Sequence, residues 1–461
     1  MKITNRDTRL TNFGKGKPFF GFLVLLLTAF CLPLTALAQN GGADQNLTGR
    51  AGTFAVTGAR IVTVSGETIE NGTIIIRNGK IETLGSNIRP GGGVEVIDGK
   101  GLSIYPGMID ASTYMGLLEI GNGVNGTVDV AETGNMNSNA KAVLGINPHS
   151  SHINITRVNG ITTVLSMPIS GLISGQAAVI NLNGSTQAEM AVAPTFALVV
   201  NFPRVSTFAG FTPGVGPRFI EFSQAVKQRD RNVEDLKKIF DDAAAYAKAR
   251  EAYAADNSLP FHPLDLKMEA MIPYIRGEKP IIFTVDRERD IRGMVKFVED
   301  MKLKAILMGG AEAWKAADVL KKNDIPVIYN RVWSMPQSQD DPYDEMFEGP
   351  AKMLEAGLKF CIATGDDGAN ARDLPYQAGM AAGYGLPKEE ALKAVTIYPA
   401  QILGVADRMG SIDVGKTANL VVTDGDMLDP RTNIKHLFIN GRLLPLTSRH
   451  TQLYDAYKDR K

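Results

Sequence analysis

Hydrophobic and polar positions divide the chain into two kinds of text. From Phe54 onward short runs dominate: residues 59–64, 73–77 and 80–84 alternate or run apolar, and 94–97 continue the pattern. Such runs, bounded by turn residues, predict β-strands. Asn78-Gly79 between two of them is a two-residue hairpin signal, because both central residues of that turn need positive φ. The far end of the chain has the same character. Residues 419–423 and 436–439 are β-like, and Asn440-Gly441-Arg442 repeats the pattern of Asn78-Gly79-Lys80. The centre differs. Short apolar runs at 161–165, 196–201, 280–285, 305–308, 326–329 and 360–364 alternate with stretches at 233–254, 288–302, 311–323 and 388–396. In those longer stretches apolar residues recur at three- and four-residue spacing, which predicts helices. Strands alternating with helices over this length predict a parallel α/β fold, a (β/α)8 barrel of the TIM type. The two β-rich ends predict a small β-sandwich built from both termini around that barrel.

Cysteine and charge refine this division at its start. A basic stretch ending at Lys17, an apolar run over 19–32 and the small residues of Ala36-Leu37-Ala38 together read as a secretory signal peptide. The apolar run is shorter than the ~20 residues a spanning helix needs. The expected boundaries are therefore a signal at 1–38, a composite β-sandwich at 39–104 and 408–446, a barrel at 105–407 and a tail at 447–461. The mature chain is expected to start at Gln39 and to act in a periplasm or outside the cell, with no stable membrane anchor once the signal is removed. Of the two cysteines, Cys31 leaves with the signal, so Cys361 has no disulfide partner and the core alone must provide stability. The whole chain of 461 residues balances 49 basic against 49 acidic residues, yet five of those bases and one acid fall in the first 38 positions. The remainder is mildly acidic, which gives no support to a nucleic-acid role or a polybasic membrane role.

Longer motifs carry a resemblance. Thr57-Gly58-Ala59-Arg60-Ile61-Val62-Thr63-Val64, Ile76-Arg77-Asn78-Gly79-Lys80-Ile81 and Ser103-Ile104-Tyr105-Pro106-Gly107-Met108-Ile109-Asp110-Ala111 resemble the opening strands of the amidohydrolase superfamily. Pro399-Ala400-Gln401-Ile402-Leu403-Gly404 and Gly415-Lys416-Thr417-Ala418-Asn419-Leu420-Val421-Val422 resemble its closing helix and return strand. The likeness runs from about 57 to 445, with a subgroup resembling imidazolonepropionase and enzymes acting on dipeptides or N-acyl amino acids. It implies hydrolysis of non-peptide or cyclic amide C–N bonds at one or two divalent metals such as zinc, which activate water and polarise the carbonyl.

The resemblance also implies where metal ligands belong, and there the chain departs from it. A His-x-His pair is expected after Asp110-Ala111, but Ser112 and Tyr114 hold the two positions. Val199 stands at the strand-four position, Thr284 at strand five and Gly309 at strand six. Neutral hydroxyls are poor ligands, and valine and glycine are none at all. Only strand eight keeps acids, Asp366 and Asp367, and these two are the candidate catalytic residues. His149 and His152 could pair on a metal only with third and fourth ligands; His262, His436 and His450 are elsewhere. Arg287, in a charged run after strand five, is read as a solvated helix start, and the glycine-containing stretch 168–176 as a loop near the barrel mouth. No Gly-x-Ser-x-Gly elbow is present, and Cys361 has no base near it in sequence. The expectation is a degenerate member of the superfamily, in which catalysis is lost or altered and no metal or other cofactor is bound. Its alternative is a non-catalytic pseudoenzyme that binds a small amide-like ligand or partners an active paralogous amidohydrolase.

Overall fold

The computed structural model describes residues 47–120, 125–212, 215–365 and 368–460. The signal peptide, Cys31, the start at Gln39 and the candidate pair Asp366 and Asp367 lie outside the described residues.

The first five strands are β1 (Phe54–Ile61), β2 (Ile69–Arg77), β3 (Lys80–Gly85), β4 (Glu95–Asp98) and β5 (Ser103–Pro106). The next are β6 (Met108–Thr113), β7 (Ile161–Ser166), β8 (Ile173–Asn181), β9 (Ala191–Asn201), β10 (Phe208–Thr212) and β11 (Gly216–Phe219). Then come β12 (Ile281–Val285), β13 (Ala305–Gly309), β14 (Val327–Tyr329), β15 (Phe360–Ile362), β16 (Leu420–Thr423), β17 (Ile434–Ile439) and β18 (Arg442–Leu444).

Both chain ends do build one sheet, in the order β18-β17-β16-β5-β1-β2-β3, with β4 attached to β1. The hydrogen bonding through it is continuous and forks at β1. The first half of β1 pairs with β4 and its second half with β5, while β2 runs along its other side. Phe54, Val56, Ile74, Ile76, Ile104, Leu420, Val422 and Phe438 fill the resulting core. Both Asn-Gly signals are realised as tight turns, with positive φ at Asn78, Gly79, Asn440 and Gly441. The two turns touch, and a Cβ on Gly441 would lie 2.5 Å from the Gly79 Cα.

The central sheet is an eight-stranded, nearly closed barrel in the order β15-β14-β13-β12-β9-β8-β7-β6. Five of the six expected barrel strands match within two residues, and β9 begins five residues earlier than 196–201. Stretch 168–176 is a loop only in its first half: Ile173 already opens β8, which runs antiparallel to both β7 and β9. The barrel interior is packed with Ile109, Ala111, Leu165, Val199, Ile282, Ile306, Met308, Ile328 and Cys361. Such continuous apolar strands are what burial on both faces requires. Outside, the helix Glu288–Met301 buries Ile291, Met294, Val295 and Val298 and carries Glu288 and Asp290 in its first turn, where the helix dipole favours acids. The helix Phe222–Ala255 starts well before the expected 233 because its first turns are polar and show no apolar period; it is buried chiefly through Leu236, Phe240, Ala243 and Ala247. Phe240 and Phe283 each meet the ring of Phe297 edge-on, at 5.5 and 6.1 Å between centroids. Each such contact adds about 0.5–1.5 kcal/mol beyond the buried area.

Candidate active site

Parallel barrel strands point their C-terminal ends at one mouth, and side chains there are free to act because the strands hold the backbone rigid. Strand pairing sets which residues share a level. Asn201 is paired with Thr284 and Thr284 with Met308, while Met308 is level with Ile328 and Ile328 with Cys361. Inward and outward side chains alternate along a strand. This register places Val199 one layer below the mouth, inside the apolar interior, and Asn201 at the level of Thr284. On β13 the last interior side chain is Met308, and Gly309 follows it on the other parity. The mouth positions on these two strands are thus Asn201 and Met308, one or two residues from Val199 and Gly309.

Ser112 is fully buried at an irregularity in the β6–β7 pairing. Its hydroxyl lies 3.5 Å from the Met308 sulfur and accepts a hydrogen bond of 3.2 Å from the Asn330 side-chain amide. Tyr114 is half-buried, packed between the barrel interior and the surrounding core. Asp110, one step below, is tied up structurally. Its carboxylate accepts from the Thr364 backbone N–H at 3.1 Å, the Thr364 hydroxyl at 2.5 Å and the Ser112 N–H at 3.2 Å. With the Gly365 N–H donating to the Ser112 carbonyl at 2.9 Å, these bonds close the barrel between β6 and β15.

Beside this buried group, two residues absent from the sequence expectation dominate the mouth. Arg331, just beyond β14, donates two hydrogen bonds to Asp286, just beyond β12, at 2.8 and 2.9 Å. The pair bridges over the end of β13, and a Cβ on Gly309 would lie 2.6 Å from the Asp286 Oδ1. A bidentate pair of this kind fixes both groups in one plane. The only sequence signal for it was polar text directly after two apolar strands. Around it opens a cleft of about 1110 Å³, with Asn201, Thr284, Arg204, Arg287, Asp290 and Glu312 among its walls. Arg287 donates to the Gln337 carbonyl at 3.2 Å and stands immediately before the helix that follows, matching its reading as a helix start. A smaller cavity of about 500 Å³ lies on the other side of Arg331, against Asn330, Thr364 and Gln377.

The other candidates are dispersed. His152 sits in a short helix capped by Ser150, with its Nε2 3.1 Å from the Glu119 carbonyl oxygen and 3.8 Å from the Glu119 carboxylate. His149 and His262 are exposed in loops, His450 meets Arg372, and His436 is on β17. Burial and the charge of Asp110 push the Cys361 thiol up, which leaves it protonated and inert. Among the described residues no three His, Cys, Asp or Glu side chains come together as a metal would require. Around Ser112 the neighbouring donors are a hydroxyl, a thioether and a carboxamide, a set that does not suit a hard or borderline divalent cation.

Comparison with known proteins places this architecture. The model of the amidohydrolase family matches residues 316–444. The chain is 23% identical to amidohydrolase tasK of Hapsidospora irregularis over 368 residues, which is 75% of this chain and 37% of that protein. Against imidazolonepropionase of Syntrophobacter fumaroxidans it is 38% identical over 77 residues, or 16% of this chain and 18% of that one. It thus spans little more than a third of the first relative and under a fifth of the second. The crystal structure of an amidohydrolase from Thermotoga maritima superposes with a TM-score of 0.74 at 26% identity, covering 86% of this chain and all of that one. Molinate hydrolase shares the fold at a TM-score of 0.52 and 15% identity, over 86% of this chain and 95% of that one. Together with the barrel and composite sheet, these likenesses support membership of the amidohydrolase superfamily.

Proposed function

We propose that this amidohydrolase-superfamily barrel has lost metal-dependent hydrolysis of C–N bonds and acts as a binding protein, for a small amide-like ligand or for an active paralogous subunit. The observation that carries the reading is the Asp286–Arg331 pair. It fills the space beside Gly309 with a carboxylate already neutralised by a guanidinium. An acid locked in that way is a poor metal ligand, since coordination would have to break two charge-assisted hydrogen bonds. Support also comes from Ser112, whose hydroxyl is engaged by Met308 and by the Asn330 amide nitrogen, where the superfamily's metal would need imidazoles and carboxylates. The fit of a divalent ion to these donors is poor.

The cleft itself remains suited to binding. It is concave, it mixes basic groups such as Arg204 and Arg287 with acidic ones such as Asp290 and Glu312, and it sits at the end of the barrel where loops vary. Metal analysis by mass spectrometry tests the proposal, on protein purified without chelator and again after soaking in zinc. Less than about a tenth of an equivalent is expected in both cases, whereas a binding-competent structural or catalytic site would fill. One or two equivalents retained through desalting would overturn it and turn attention to replacement ligands.

A further inference from the structure

A further cavity lies at the opposite end of the barrel. Where β12, β13 and β15 begin, Ile306 and Phe360 form the floor of a basin of about 930 Å³. Its walls include Phe196, Leu303, Leu354, Tyr398 and Ile402. The Tyr398 hydroxyl donates to Glu390 at 2.6 Å, so the phenol is already satisfied and the ring is what remains to line the wall. Gly277 and Gly404 leave the rim open, with no atom within 4 Å of where a Cβ would stand.

Charge at this rim is one-sided. Lys302, Lys304 and Lys359 border the basin, against a single acid, Asp324. Asp324 is paired with Lys359, and among the described residues no carboxylate lies within ion-pair distance of Lys302 or Lys304. The nearby Glu299 is taken by Lys322 and Asn323. Lys302 is held in place by a left-handed backbone (φ 55) that ends the helix Glu288–Met301.

We infer that this basin binds a single anionic amphiphile, a straight-chain carboxylate, with its tail along the apolar walls and its head at Lys302 and Lys304. The apolar part of its wall gains affinity with each methylene it removes from water, and two ammonium groups without a carboxylate partner select the sign of the head. The proposal is independent of what the barrel mouth does. Isothermal titration with dodecanoate and with dodecyltrimethylammonium tests it, on the full chain and on two double variants. One is Lys302→Glu with Lys304→Glu; the other, Lys302→Arg with Lys304→Arg, keeps the charge. Expected are one dodecanoate per chain, bound about tenfold or more tighter than the cationic detergent. The glutamate pair should weaken dodecanoate by about tenfold or more, and the arginine pair should bind like the original. Equal affinity for both head groups, no dodecanoate binding, or unchanged binding by the glutamate variant would overturn the inference. So would association with anionic vesicles but not with free dodecanoate, or a self-associating chain that the glutamate pair makes monomeric.

Discussion

Replacing Gly309 by alanine adds one methyl group at a point where backbone conformation and neighbouring atoms both resist it. The residue sits at φ +95, outside the region L-residues adopt easily, and forcing alanine there costs roughly 1–3 kcal/mol. The added carbon would lie 2.6 Å from the Asp286 Oδ1 and 2.8 Å from the Val285 carbonyl oxygen. Neither neighbour moves freely. Asp286 is held by Arg331 through two hydrogen bonds, and the Val285 carbonyl accepts the Gly310 N–H at 2.7 Å. Relieving the overlap should add about 1 kcal/mol or more, for a total of roughly 2–4 kcal/mol. Urea denaturation followed by circular dichroism is the assay: the midpoint should fall by about 1 M with an unchanged slope. Combining Gly309→Ala with Asp286→Ala removes one of the two close contacts, so the double variant should lose about 1 kcal/mol less than the sum of the singles. A loss below about 0.5 kcal/mol for Gly309→Ala would refute the reasoning. It would mean that the space over β13 is open, and that a ligating side chain at this position is compatible with the fold.

Cys361 should resist iodoacetamide in the native protein and react at the normal rate once unfolded, because the thiol is fully buried and pushed up by burial and by Asp110; mass spectrometry reads the difference, and rapid native labelling would show that the barrel interior opens. His436 is half-buried on β17, and that burial lowers its pKa from the ordinary value of about 6.5. The unfolded chain therefore takes up this proton first as pH falls. The stability His436 contributes is complete above about pH 6.5 and declines below it toward the folded pKa. His436→Gln should flatten that part of the profile in denaturation midpoints compared at pH 7.5 and pH 5, and an unchanged slope would assign it to other groups.

Both hairpins, most barrel strands and the helix after β12 were legible because their signals are local. Asn78-Gly79 and Asn440-Gly441 need only their own φ angles, and the apolar runs from 280 to 364 needed only burial on both faces. The antiparallel course of β8 was not legible, since strand direction is chosen by partners and an apolar run reads the same both ways. Nor was the fork at β1, where one strand serves two neighbours in its two halves.

The candidate site divides along the same line. That Ser112 and Tyr114, and not histidines, follow Asp110-Ala111 is a statement about residue identity, and the sequence by itself determined it. Which side chains stand in their place required the register, because a shift of one residue exchanges interior for exterior; pairing moved the mouth from Val199 to Asn201 and from Gly309 to Met308. Asp286 and Arg331 lie 45 positions apart and carry no mutual pattern along the chain. Only the curvature of the barrel, by bringing the ends of β12 and β14 together over β13, makes them a pair.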